Sequence, residues 1–105
     1  MKAPEPVLSP RQIAARRRAL WQAMLALRGV GEYERFFIDL CTPAEIADMA
    51  DRWAVACLLD RELPYRQIHD ETGVSTATVT RVARSLHLGA GGYRAGLARL
   101  RGEER

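Results

Sequence analysis

Residues 64–88 read PYRQIHDETGVSTATVTRVARSLHL, a pattern that predicts two short helices joined by a tight turn. Gly73 lacks a Cβ and can adopt the positive φ that closes the first helix and reverses the chain. Ser75 follows at the N-cap position of the second helix. This layout is a helix-turn-helix, in which the second helix is typically the one that enters a DNA groove.

The motif divides into an apolar and a polar face. Its aliphatic side chains fall at the spacing of a helix pair and are predicted to share one small core: Ile68, Val74, Val79, Val82 and Leu86. The second helix points a set of small, hydroxyl-bearing and basic side chains elsewhere: Thr76, Ala77, Thr80, Arg81 and Arg84. Exposed hydroxyls and arginines suit a DNA groove.

A β-strand is the alternative for residues 76–82, because TATVTRV is rich in threonine and valine. The capping serine, two nearby alanines and the i, i+3, i+7 placement of Val79, Val82 and Leu86 favour a helix. We therefore predict a helix for this segment.

The rest of the chain also shows helical patterns. Together these patterns predict an all-α protein of about six helices. A first amphipathic helix is expected over residues 10–28, before Gly29 and Gly31 break its pattern. A short helix dense in aromatic residues follows, with these residues on its apolar side: Tyr33, Phe36, Phe37 and Leu40.

The clearest helix start is Thr42–Glu45, which combines a threonine N-cap, a proline at the first helical position and a glutamate that returns the capping bond. This third helix is expected to end near residues 60–61 and to be the buried central helix. Its apolar residues cover more than one stripe: Ile46, Met49, Ala50, Trp53, Cys57 and Leu58. A last helix is predicted over residues 93–100, with Leu97 and Leu100 on its apolar side.

The chain has 105 residues, of which 48% are hydrophobic and 28% charged, and this is enough for one folded domain. Residues 1–9 are predicted to be a flexible tail, and the domain to span residues 10–101. No stretch approaches the roughly 18 apolar residues of a membrane span, and the N-terminus lacks the apolar centre of a signal peptide. A cytoplasmic protein without a membrane partner is therefore expected. The formal net charge of +3 permits binding to a polyanion without requiring it.

The residue types that carry catalysis or metal binding are sparse. Cys41 and Cys57 have no CxxC spacing and are predicted to be reduced, buried core thiols. His69 and His87 are the only histidines, and neither stands at a metal-ligand spacing. Because nucleophile motifs and phosphate-binding glycine loops are also missing, we predict neither an enzyme nor a cofactor or metal site.

Further sequence elements stand at characteristic spacing between residues 20 and 100: Leu58-Leu59, the helix that contains Arg66, Ala77–Arg81 and Ser85-Leu86. Through them the chain resembles the Trp repressor superfamily. It is most similar to the small YerC/YecD-type branch, with which it shares Cys41–Pro43, Asp51–Trp53, Gly73–Val82 and Gly91–Tyr93. The resemblance implies an intertwined homodimer that presents one helix-turn-helix per subunit to a two-fold operator in double-stranded DNA. Surplus apolar faces on several short helices independently predict a homodimer.

The resemblance also implies site residues. The positions that approach bases in Trp repressors fall here on Arg66, His69, Thr76, Ala77 and Thr80. Arg81, on the edge of the helix, stands where Trp repressors have an arginine that helps to hold the tryptophan corepressor. Val82 replaces the glycine that follows it, and its branched side chain would fill the space that the indole needs. Arg52 matches a second ligand arginine only with a spacing to Leu58 that is shorter by one residue. L-tryptophan is therefore not expected as an effector.

Three alternatives stay open at this point. His69 either lies on the surface and leans out of the motif or contacts a phosphate or base edge of DNA. The basic run at Arg16–Arg18 is either a solvated helix face or an arm that contacts DNA. The chain as a whole is predicted to be a DNA-binding transcriptional regulator that represses two-fold operators. In this prediction the side chain of Arg84 contacts a DNA phosphate. The alternative function is a helical protein-interaction module that uses the motif and the aromatic helix around Phe36 without binding DNA.

Overall fold

The computed structural model describes residues 4–102, and within that range the protein is all-helical, as predicted. It contains six helices: α1 (Pro10–Ala26), α2 (Gly29–Leu40), α3 (Pro43–Asp60), α4 (Tyr65–Thr72), α5 (Thr76–Leu88) and α6 (Gly92–Leu100). The helix predicted for residues 76–82 is confirmed, and the strand alternative is wrong. Residues 4–9 of the predicted tail carry no regular secondary structure, and residues 1–3 lie outside the described residues.

Two helices begin at complete capping boxes. Thr42 Oγ1 accepts from the Glu45 backbone N–H at 3.1 Å, and the Glu45 carboxylate accepts from the Thr42 backbone N–H at 2.8 Å. Ser9 and Gln12 make the same pair of bonds ahead of α1 at 3.1 and 2.8 Å. In each box a proline follows the N-cap residue, at the first position of the helix, where its missing N–H costs no hydrogen bond. These local signals explain why the predicted starts of α1 and α3 are confirmed.

The chain divides into two compact units, the first ending at Cys41 and the second beginning at Thr42. In the first unit, the Tyr33 hydroxyl donates to the carbonyl of Met24 at 3.0 Å and so ties α2 to α1. The break between these helices is shorter than predicted, because α2 begins at Gly29 with φ +76° and continues through Gly31. No described residue of this unit is fully buried.

The second unit has a small aliphatic core, formed where α3, α4 and α5 meet: Val55, Ala56, Ile68, Val74, Val79 and Val82. All five residues predicted to form the core of the motif are buried, at 9% exposure or less. In α3 the prediction is wrong in detail. Val55 and Ala56 are its buried residues, whereas Met49 is 39% exposed and Ala50 is exposed as well. The reason is that α4 and α5 pack on the C-terminal half of α3, so burial follows that contact and not hydrophobicity alone.

The last helix packs against α3 and α5. The Trp53 ring stacks on the Tyr93 ring with centroids 6.3 Å apart, and a Cβ at Gly96 would stand 3.1 Å from the edge of the same indole. Leu97 is buried as predicted, but Leu100 is 76% exposed, which corrects the predicted apolar side of this helix. An ion pair between Arg101 and Asp60 joins the ends of α6 and α3.

The two cysteines are free, as predicted, but only half-buried. Partial burial, together with the nearby Asp60 carboxylate, raises the pKa of the Cys57 thiol. Between residues 4 and 102, no helix combines the length and the apolar character that a membrane crossing requires.

Candidate nucleic-acid interface

The turn of the helix-turn-helix satisfies its own polar groups. Gly73 adopts φ +74° and its backbone N–H donates to the carbonyl of His69 at 2.9 Å, which closes α4 as predicted. The Thr72 hydroxyl donates to the carbonyl of Ile68 at 2.7 Å and accepts from the backbone N–H of Val74 at 3.1 Å. Because these bonds are made within the protein, the backbone of the turn cannot change conformation without breaking one of them.

His69 lies against this turn. Its ring Nδ1 is 2.7 Å from the carbonyl oxygen of Val74, and the side chain is half-buried. Because a carbonyl only accepts, Nδ1 is the nitrogen that carries the proton. The first alternative for His69, a residue that leans out of the motif, is therefore wrong. A contact between its other nitrogen and DNA stays a prediction.

The second motif helix begins at Ser75, whose Oγ accepts from the backbone N–H of Thr78 at 3.2 Å. The Ser75 hydroxyl also donates to the Thr78 Oγ1 at 3.0 Å, so the hydroxyl of half-buried Thr78 belongs to the cap. Further along, the Thr80 hydroxyl donates to the carbonyl of Thr76 at 2.9 Å. Thr80 thus has its lone pairs and its methyl group left for an outside partner.

One side of α5 forms an exposed polar surface, which we call the α5 face: Thr76, Ala77, Thr80, Arg81 and Arg84. The opposite side is the core, where Val79, Val82, Ala83 and Leu86 are buried. Arg66 is exposed on α4, so six of the seven predicted site residues are exposed and His69 is the half-buried one. Their contact with DNA stays a prediction.

Three arginines of the predicted site differ in their partners from Arg94 and Arg101. Within residues 4–102, the guanidinium groups of Arg66, Arg81 and Arg84 make no hydrogen bond or ion pair. By contrast, Arg94 on α6 lies 3.5 Å from His87 Nδ1, and Arg101, the C-cap of that helix, pairs with Asp60. The cations of the predicted site are therefore available to an external anion.

Most of the chain matches a known protein family. A family model described as "Trp repressor protein" matches residues 15–101. This chain belongs to the Trp repressor family. An uncharacterised protein of Bacillus subtilis, YerC, is 42% identical over 85 residues, which cover 81% of this chain and 82% of that protein.

Two solved structures share the fold of this Trp repressor family member. A TrpR-like protein from Eubacterium eligens is 41% identical with a TM-score of 0.77, over 84% of this chain and 91% of that one. A candidate Trp repressor from Staphylococcus aureus is 39% identical with a TM-score of 0.79, over 83% of this chain and 87% of that one. The predicted fold and the predicted YerC-type branch are both confirmed.

Val82 occupies the position where the resemblance places the indole-facing glycine of Trp repressors. It is 2% exposed and belongs to the core cluster, against which the half-buried Trp53 and Tyr93 also pack. The neighbouring Arg81 is exposed, and so is Arg52 on α3. The side chain of Val82 therefore packs in the core of the motif.

Two features of the site are absent from the sequence prediction. The bond from His69 to Val74 joins residues five apart, a separation that matches no standard capping pattern. The stack of Trp53 on Tyr93 joins two helices. The one sequence signal for it is Gly96, whose lack of a side chain leaves room for the indole.

No described group of three or more histidine, cysteine or acidic residues is arranged to hold a metal ion.

Proposed function

We propose that this protein is a sequence-specific DNA-binding transcriptional regulator, a repressor that acts as a homodimer on a two-fold operator. The observation that carries the proposal is the α5 face, an exposed row of small, hydroxyl and arginine side chains held over an internally bonded turn. Membership of a family of regulatory DNA-binding proteins supports it.

Each part of the α5 face suits a part of a DNA groove. Small side chains at Thr76 and Ala77 let the start of the helix approach base edges closely. Thr80 offers an acceptor and a methyl group to bases, while Arg66, which lies on α4 and outside this face, can fork onto a guanine. Arg84, two turns into the helix, is placed for a phosphate contact that orients the protein without reading sequence.

The homodimer is supported by the apolar surface that one chain leaves exposed. Leu25 and Val30 in the first unit are 85% and 84% exposed, and Trp21 is 56% exposed. Exposed apolar surface on several helices marks an interaction site, and a second copy brings the second helix-turn-helix that a two-fold operator requires. Small dimers of this kind act by occupying operators, which favours a repressor over an activator.

We also propose that operator binding does not require L-tryptophan, because Val82 already fills its position with a buried side chain. A corepressor raises apparent affinity by populating the binding-competent state, and a side chain that holds this state permanently removes that dependence. Operator affinity should therefore be the same with and without millimolar tryptophan. A rise of about tenfold or more, equal to about 1.4 kcal/mol of coupling, would contradict this.

Selection of bound fragments from the source genome tests the proposed function. We expect enrichment of a short two-fold sequence, followed by specific binding to the synthetic site in a gel-shift assay. The matched control is the variant Thr80→Ala/Arg84→Ala, which leaves the core untouched. Failure of the wild-type protein to enrich any sequence would instead favour the protein-interaction module.

A further inference from the structure

Val74, the residue between the turn glycine and the N-cap of α5, is held at both of its backbone polar groups by side chains of α4. Its N–H donates to Thr72 Oγ1 at 3.1 Å, and its carbonyl accepts from His69 Nδ1 at 2.7 Å. Its own side chain is 9% exposed and joins the core. We call this pair of bonds the Val74 clamp. A turn residue fixed at three points has little freedom left to change direction.

We propose that His69 is a positioning residue for the second motif helix: its Nδ1–H, through the Val74 clamp, sets the direction in which α5 leaves the turn. The proposal rests on the proposed function, since the direction of α5 matters for reading DNA. Of the two bonds in the clamp, the one from Thr72 stays within two residues along the chain, whereas the one from His69 spans five. His69 thus adds a second link, from the middle of α4 to the carbonyl of the residue before the α5 cap.

The direction of α5 is important because a small tilt at the turn displaces the residues further along the helix. Arg84 lies eight residues after Thr76, which is about 12 Å along a helix. A tilt of α5 by about 5° at the turn would move Arg84 by about 1 Å, beyond the roughly 0.5 Å within which a binding constellation must be held. Ser75 caps α5 locally, but a cap fixes where a helix starts and not its angle to the preceding helix.

The two ring nitrogens of His69 are available for different contacts. With Nδ1–H donated to Val74, only Nε2 is left to face another molecule, and within the described chain it has no partner. A contact between His69 and DNA would therefore use Nε2, and the clamp would persist beneath it. This separation lets two amide variants distinguish the tasks, because an asparagine amide nitrogen matches the place of Nδ1 and a glutamine amide nitrogen that of Nε2.

The experiment compares His69→Asn, His69→Gln and His69→Ala for affinity to the selected site, with far-ultraviolet circular dichroism to show that each is folded. We expect His69→Asn to bind about three- to tenfold more tightly than His69→Ala, the worth of one neutral hydrogen bond, because both variants lack Nε2 and only asparagine keeps a donor at the place of Nδ1. Equal affinity of His69→Asn and His69→Ala would overturn the proposal, whatever the affinity of His69→Gln.

A measurement on the protein without DNA keeps this test separate from the proposed function. Nitrogen chemical shifts of the wild-type imidazole should show the proton on Nδ1, and residual dipolar couplings should show α5 turned relative to α4 in His69→Gln but not in His69→Asn. If the wild-type protein selects no DNA, the proposed function fails, while these couplings still decide the positioning role. A proton on Nε2 of the free protein, or unchanged couplings in His69→Gln, would overturn it.

Discussion

The exposed side chain of Thr80 offers an outside partner an acceptor and a methyl group, because its hydroxyl proton is donated to the Thr76 carbonyl. The complementary base features are the amino groups of adenine and cytosine and the methyl group of thymine. We predict that Thr80→Ala weakens binding to the specific site by about 1 to 3 kcal/mol. Thr80→Val, which keeps the methyl group, and Thr80→Ser, which keeps the hydroxyl, should each lose one of the two contributions. Titrations in which all three variants bind as wild type would exclude Thr80 from the interface.

Arg66 and Arg84 are both exposed and without partners in the described chain, but they are predicted to act differently. Arg66→Ala should cost about 1 to 3 kcal/mol on the selected site and little on random DNA, because a bidentate guanine contact is sequence-specific. Arg84→Ala should weaken all sequences alike and make the slope of log affinity against log salt shallower by about one unit. The same slope in Arg84→Ala as in wild type would show that Arg84 does not meet a phosphate.

Among the structural elements, the turn depends on one glycine. Gly73 has φ +74°, and a Cβ there would meet no atom within 4 Å, so Gly73→Ala is penalised by backbone conformation alone. We predict a loss of about 1 to 2 kcal/mol in the free energy of unfolding, measured by urea denaturation. Gly92→Ala is the matched control, since its site is equally open without a positive φ. It should change stability by less than about 0.5 kcal/mol. Equal losses in the two variants would contradict the conformational explanation.

The capping box at the start of α3 predicts a pH dependence of stability. The backbone N–H of Thr42, helped by its hydroxyl, lowers the pKa of the Glu45 carboxyl below the model-compound value of 4.5. A folded-state pKa below the unfolded one gives stability that is present above the unfolded value and lost as the pH falls through the folded value. Glu45→Gln keeps an acceptor for the cap, as Gln12 does in α1, and should flatten this part of the stability profile below about pH 4.5. An unchanged acid profile in Glu45→Gln would show that the cap does not carry it.

At the scale of the whole molecule, the exposed apolar side chains of the first unit predict that folding and association are coupled. A chain with Leu25 and Val30 more than four-fifths exposed should sediment as a homodimer at micromolar concentration. Its urea midpoint should rise with protein concentration, because an obligate dimer has no stable folded monomer. A monomer mass with full helicity in analytical ultracentrifugation would exclude the intertwined arrangement.

Local signals made most of the fold predictable. The cap at Thr42, the glycine at 73 and the cap at Ser75 each act through hydrogen bonds or dihedral angles within a few residues, so the starts of α3 and α5 and the end of α4 follow from the sequence. The polar and apolar sides of α5 follow equally, because the 3.6-residue period places them without knowledge of the neighbours.

The tertiary structure alone decided which residues of the long third helix are buried, and how the turn is held. The apolar residues of α3 lie on more than one side of the helix, so the sequence could not tell which of them would be buried. Val55 and Ala56 are covered and Met49 is exposed because of where α4 and α5 pack. Likewise, the bond from His69 to Val74 exists only once the chain has reversed at Gly73 and brought the imidazole to that carbonyl. Patterns within one helix are set by its own backbone geometry, whereas contacts between helices require the angle at which they meet, which no single segment of sequence contains.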